Sequence, residues 1–385
     1  MSDRPPSSEE GPPIVKQALL GNCSIPARSI AMLFDGPLST VVILLGVLGN
    51  AYCLKVLFSR SINTSMLVSL TGLAIWDMVL LLASFFHYSM WSSLYYVGLT
   101  DYPWNPHLIA LNGLVECGHI TATWMLIEVT AERFFAVTRP FHFSTIHRKQ
   151  RRKSYAKLIA GYIRLPLVMT LVACIITLPC SFEYGIEPCI YNSERRFQRH
   201  KTPLLNNIYY RVLYKTIFLS VAKTFGPFII ITLLTVSTVK SMRKSMNSRA
   251  SILMQQGKDH LFKADRDKTK SLQTISVLLL AKFLLLRCWP TAIAISQVIF
   301  GEVPKTPLHV DVSQFFLLLN SATNSFIFVI LKIAFETRRL KRIRMRQREL
   351  VAKHAEQVLY IGKAIAGDKL LLLQDMESEQ NPFLK

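Results

Sequence analysis

The feature that most limits what this chain can become is a succession of apolar stretches, each long enough to cross a bilayer and each bounded by charge. Crossing the hydrocarbon core takes ~20 mostly apolar residues. Seven blocks qualify, at about 36–59, 66–92, 106–138, 155–180, 206–241, 268–300 and 308–332. Arg164 and Pro166 interrupt the fourth, and the fifth and sixth carry charged residues. A length of 385 residues fits two soluble domains, but the hydrophobic residues, 51% of the chain, are gathered into these blocks. The expected fold is therefore all-α. It comprises an extracellular tail at 1–35, a seven-helix membrane bundle at 36–332, a short amphipathic helix at 333–347 and a cytoplasmic tail at 348–385.

Charge sets the orientation. A net charge of +21 is also a nucleic-acid signature. Here Lys and Arg flank the apolar blocks, so membrane lipid is the expected partner and nucleic acid is not. The connection after block three holds Arg148, Lys149, Arg151, Arg152 and Lys153 with no acid, and the run after block seven holds Arg338, Arg339, Lys341, Arg342 and Arg344. The connection from Trp91 to Asn105 has Asp101 and no basic residue, while 181–205 mixes Arg195, Arg196, Arg199 and Lys201 with Glu183, Glu187 and Glu194. The balance puts the amino terminus outside and the carboxyl terminus inside. The sequon Asn22-Cys23-Ser24 fits a glycosylated outer tail. No charged-then-apolar leader precedes block one, which is expected to act as an uncleaved anchor. Phe335, Leu340 and Ile343, set among basic residues, suit a helix lying in the membrane interface.

The blocks also carry polar residues in a recognisable order. Block one has Gly49-Asn50, block two Leu73-Ala74-Ile75-Trp76-Asp77, and block three ends Glu132-Arg133-Phe134 before Arg139-Pro140. Block five has Pro227, block six Cys288-Trp289-Pro290, and block seven Asn320 with Asn324-Ser325-Phe326-Ile327-Phe328. An acid or Arg at membrane depth is expensive and usually functional. One set per block, over about 36–345, this resembles the signatures of rhodopsin-like G protein-coupled receptors. The resemblance implies a plasma-membrane receptor whose inner partners are a heterotrimeric G protein and arrestin. It implies a coupling switch made of Glu132, Arg133 and Phe134, with Asn324 and Phe328 in block seven and Pro290 as the hinge of block six. It further implies a polar hub of Asp77, Asn50, Asn320 and Asn324, which in the family holds waters and often a sodium ion; Ala122, where the family usually offers a hydroxyl, weighs against the ion. Three departures matter. Block seven lacks the family's Pro and Tyr. Trp289 is shifted by one residue, roughly 100° around a helix. Lys270 stands where many relatives have an acid facing the Arg, which leaves Glu132 as the expected partner of Arg133.

In the outer half, Leu178-Pro179-Cys180-Ser181-Phe182-Glu183-Tyr184, Asn207 to Tyr214 and Asn320 to Ile327 resemble receptors for FMRFamide-like neuropeptides of invertebrates. A peptide ending in Arg-Phe-amide needs a carboxylate for its guanidinium and an apolar pocket for its ring. The candidate acids are Glu116, Asp311, Glu183 and Glu187, and the candidate aromatics Trp91, Tyr95, Trp104, Phe182, Tyr184 and Tyr214. Lys223, one turn before Pro227, is an alternative partner for Glu116. Lys282, Arg287, Glu128 and Arg164 read as internal pairs or snorkelling side chains.

The family's bridge from the top of helix three to the second outer loop has no cysteine at its helix end. Cys117 lies ~13 Å deeper at 1.5 Å per residue, and disulfide Cα atoms must approach to under ~7 Å. The outer thiols are Cys23, Cys180 and Cys189, which leaves Cys23–Cys189, Cys180–Cys189 or a free Cys189. Cys53, Cys117, Cys174 and Cys288 read as buried apolar residues.

Rival functions fare less well. An opsin needs a lysine midway along block seven, and 308–331 contain none. A transporter is expected to show inverted repeats or paired broken helices, which the blocks do not. No metal or nucleophile constellation points to an enzyme. A chemosensory receptor for a small molecule is the closest alternative.

Overall fold

The computed structural model describes residues 21–24, 28–58, 64–101, 108–138, 155–255, 277–296 apart from 279 and 294, 308–327, and helical residues between 337 and 355. The chain divides into two units, 1–328 and 329–385. Arg139, Pro140, Lys270, Phe328, Trp104 and the basic run 148–153 lie outside the described residues.

The first unit is built of helices. α1 spans Ile30–Phe58, beginning six residues before the apolar block suggests. α2 covers 64–97, α3 is Leu111–Thr138, α4 is Tyr155–Thr177 with a 3-10 extension through Phe182, and α5 covers 210–255. α6 takes in the helical residues from 277 to 296, and α7 covers 308–327. Among the described residues, four segments are long and apolar enough to cross a membrane: Ile30–Phe58, Leu67–Val97, Ala160–Phe182 and Tyr210–Ser245, with mean hydropathy of 1.9 to 2.2. In the fourth-helix segment only 22% of the apolar window is buried within the protein. Leu165, Leu167, Leu171 and Ile175 face outward there. Such a surface suits hydrocarbon, because water would leave a large apolar patch unpaired with anything.

A helix in lipid must satisfy its polar groups internally. Several hydroxyls do so by bonding back one turn, as Thr123 donates to the His119 carbonyl at 2.7 Å, Thr177 to Ala173 at 2.9 Å and the half-buried Thr323 to Leu319 at 2.6 Å. α3 is the centre, packed on α2, α4 and α5, with Ile120, Thr121 and Met125 fully buried. Small residues let the helices close up elsewhere. A Cβ on Gly46 of α1 would come within 2.6 Å of the Ala322 Cβ and 2.8 Å of Leu81.

The helices are not regular. π-helical turns lie at Phe34–Leu38, Phe85–Ser89, Tyr210–Phe218 and Val221–Phe225. The last precedes Pro227, which has no amide hydrogen and whose ring pushes against the carbonyl four residues earlier. That carbonyl belongs to Lys223.

The all-α expectation fails at 184–201. β1, Tyr184–Tyr191, pairs antiparallel with β2, Glu194–Lys201, in the register Tyr184↔Lys201 to Tyr191↔Glu194. Asn192 and Ser193 close the hairpin with φ of 50° and 66°. Positive φ at both loop positions is what a two-residue turn matching strand twist requires, and Asn tolerates it well. The tail lies along the other edge of β1. The Cys23 amide donates to the Ile190 carbonyl at 3.0 Å, and the Ile190 amide to Gly21 at 3.0 Å. Cys23 and Cys189 form a disulfide with Cα atoms 5.0 Å apart. Cys180 is therefore not the bridging partner; it is a buried thiol beside the Tyr214 hydroxyl at 3.8 Å. Cys53 and Cys117 are buried as expected, but Cys174 and Cys288 are exposed on their helices.

In the second unit the described residues between 337 and 355 are helical, so helix continues past 347. Leu340, Ile343, Met345, Leu350 and Val351 are exposed on it.

Candidate functional site

Polar residues of the first unit gather in groups at different depths. The deepest centres on Asp77 of α2, which is 0% exposed. Asn324 of α7 donates its amide to the Asp77 carboxylate at 2.9 Å, and the other carboxylate oxygen has no hydrogen-bond partner. The other end of the Asn324 amide accepts from Lys282 of α6 at 2.5 Å, and Lys282 also donates to the Asn320 backbone carbonyl at 2.5 Å. Of the expected hub, Asp77 and Asn324 are joined directly and Asn320 contributes its main chain. Asn50 is buried but bonds its own helix, donating to the Gly46 carbonyl at 2.9 Å. Lys282 was legible only as an internal cation, not as a member of this group.

The second group lies between α3, α5 and α6. Lys223 and Glu116 form an ion pair at 2.8 Å, the internal pair that the sequence left as one alternative. Arg287 of α6, 2% exposed, donates to Thr123 at 2.6 Å and to the Lys223 carbonyl at 3.1 Å. The second acceptor is the carbonyl that Pro227 deprives of its helical partner. The Ala222 carbonyl, in the same widened stretch, accepts from the Trp124 indole at 3.0 Å. Irregular backbone in α5 is thus satisfied by side chains of α3 and α6, as backbone at membrane depth must be.

Toward the hairpin, Glu183 is 1% exposed and pairs with Lys215 at 2.5 Å. Tyr210 and Asn112 donate to it at 3.1 and 3.3 Å. Tyr214 stacks on Tyr210 and donates its hydroxyl to the Ile176 carbonyl of α4. Glu183 and Tyr214 are therefore already engaged within the fold. Glu187 is exposed on β1, 4.0 Å from His200, and Asp311 is half-buried near the start of α7. Lys215 was missed in the sequence; its only signal was a charge inside an apolar block.

At the opposite end of α3, Arg133 lines a cavity with Leu126, Val129 and Thr130 of α3, Ile231, Thr235 and Thr238 of α5, and Leu280 of α6. Glu132 turns to α2, where Ser65 donates to it, and Glu128 accepts from Ser69 at 3.1 Å. This corrects the expectation that Glu132 faces Arg133: adjacent residues point about 100° apart on a helix. Phe134 is half-buried with its ring edge on Phe135. Pro290 is buried in α6. Trp289 is 37% exposed, and its indole reaches the His309 carbonyl of α7 at 3.4 Å.

The sodium ion implied at Asp77 meets a competitor: the Lys282 ammonium holds the Asn320 main-chain oxygen and the Asn324 side-chain oxygen, while Asp77 Oδ1 and Asn320 Oδ1 are buried without a hydrogen-bond partner. No protein-family model matches this chain, and no curated protein matches it.

Proposed function

We propose that this chain is a rhodopsin-like G protein-coupled receptor, with seven membrane crossings, its amino terminus outside the cell and its carboxyl terminus in the cytoplasm. An extracellular ligand, read as an FMRFamide-like neuropeptide, favours a state in which α6 has swung outward about Pro290. A heterotrimeric G protein, and arrestin after it, then engages Arg133 and the basic inner connections. The observation that carries this reading is the cavity under Arg133, whose walls come from α3, α5 and α6. Leu280 makes the α6 wall, so movement of α6 enlarges the space beside a buried guanidinium. Helix displacement against a bundle is a recurrent switch. The disulfide supports the orientation, because such bonds persist in oxidising surroundings, and Cys23–Cys189 lies at the end of the bundle away from Arg133. A ligand shifts the two states only by its differential affinity for them.

Ligand-dependent nucleotide exchange in membranes from expressing cells tests the reading. Arg133→Ala is expected to abolish it, and exchange left intact in that variant refutes the role given to Arg133. One observation favours a small-molecule chemosensory ligand as the second reading: Glu116 and Glu183 each already hold a lysine. A peptide guanidinium must then find Glu187 or Asp311, or displace a lysine. Screening amidated peptides beside small molecules on the same cells separates the two.

A further inference from the structure

We propose that Lys282 is the resident cation of the Asp77 site: its ammonium stands where a sodium ion would otherwise sit, closes the site to sodium, and fastens α6 to α2 and α7. The regulatory half of this inference rests on the receptor reading; the ion half does not.

The geometry is specific. Asn324 uses both ends of its amide, donating to Asp77 at 2.9 Å and accepting from Lys282 at 2.5 Å. A carboxylate, an amide and an ammonium are thereby placed in series across three helices, and the Asn320 carbonyl completes the ammonium's contacts at 2.5 Å. A sodium ion at Asp77 would find Asp77 Oδ1 and Asn320 Oδ1 unpartnered but would have to share the Asn324 side-chain and Asn320 main-chain oxygens with the ammonium. Ala122, which is 5% exposed, offers no hydroxyl to replace them.

Charge points the same way. Two buried cations, Lys282 and Arg287, act on the single Asp77 carboxylate. The nearby Glu116 is committed to Lys223. A sodium ion would add a third positive charge to the two that already act on Asp77, and an uncompensated buried charge is costly.

A tethered cation also differs from a free one in how it leaves. Lys282 lies eight residues before Pro290 on α6, about 12 Å along the helix. A swing of α6 about Pro290 carries the ammonium away from Asn320 and Asn324. Sodium could escape without any helix moving; Lys282 cannot. The cation's departure and the displacement of α6 are then one event, and Lys282 restrains the resting state.

The test uses the full-length chain purified in nanodiscs, with its melting temperature measured in sodium chloride and in choline chloride at equal ionic strength. The natural chain is expected to melt at the same temperature in both. Lys282→Met, which keeps the apolar stem and removes the charge, is expected to melt lower in choline and to recover several degrees in sodium. Adding Asp77→Asn is expected to remove that recovery. In membranes, Lys282→Met is expected to raise ligand-free nucleotide exchange several-fold. A sodium-dependent melting shift in the natural chain that Asp77→Asn abolishes overturns the proposal, and this arm stands even where Lys282→Met fails to fold. A Lys282→Met chain that melts like the natural one and shows no sodium response overturns it as well. If no variant supports exchange at all while the melting pattern holds, the receptor reading fails and the resident cation survives.

Discussion

The outer and inner ends of α3 both place carboxylates in an apolar setting, and they treat them differently. At the outer end, Glu116 faces Lys223 and Glu183 faces Lys215, and the hairpin that carries Glu187 is bonded to the tail through Cys23 and Cys189. At the inner end, Glu128 and Glu132 are held by serine hydroxyls of α2, and Arg133 borders a cavity lined by aliphatic and threonine side chains. Breaking a buried ion pair strands a charge, whereas losing one hydroxyl contact costs about 1 kcal/mol. The outer end is therefore a frame, and the inner end is where a second arrangement is cheap. Arg287 and Lys282 sit between the two, each tying α6 to its neighbours through carbonyl oxygens.

Three substitutions sharpen or break this contrast. The largest effect is expected from Glu116→Gln, which leaves Lys223 without a counter-charge. Stability should fall by about 3–5 kcal/mol, and combining it with Lys223→Met should cost less than the sum of the two. Unfolding of the purified chains in a double-mutant cycle measures this, and strict additivity would mean that the pair does not hold the frame. Next comes Cys23→Ser. It opens a loop of 166 residues and is expected to cost about 2–4 kcal/mol. A reductant should lower the natural chain's melting temperature to that of the variant and leave the variant unchanged. Smallest is Ser65→Ala at the inner end, at about 1 kcal/mol. If the contrast is right, this mild change alters ligand-free nucleotide exchange more than Cys23→Ser does, despite its smaller effect on melting.

Depth along the chain was legible in the sequence and rotation was not. The resemblance offered Asn324 among the possible donors to Asp77, and the sequence left Lys223 as one alternative for Glu116; both contacts are present in the structure. Which way a residue faces depends on an unbroken count of 3.6 residues per turn. The π turns in α1, α2 and α5 each insert a residue into that count. Lys215 lies inside one such turn, so its pairing with Glu183 could not be projected from the pattern. Lys282 needed the relative rotation of α6 and α7, which no single helix encodes. The hairpin was missed for a different reason: Tyr184–Tyr191 and Glu194–Lys201 do not alternate cleanly, and the Asn192-Ser193 turn was its one local sign.

The bond between tail and hairpin has a consequence for timing. Cys23 emerges during synthesis long before Cys189, and it stays a thiol until its partner arrives. Asn22, the acceptor of the sequon, precedes it directly and lies in the bridge to Ile190. Once the tail is pinned, that asparagine no longer has the slack that an oligosaccharide-transferring enzyme requires of its substrate. On the proposed orientation, sugar and disulfide are ordered: a chain that oxidises early would leave Asn22 bare, and slowing oxidation in the secretory pathway is expected to raise its glycan occupancy.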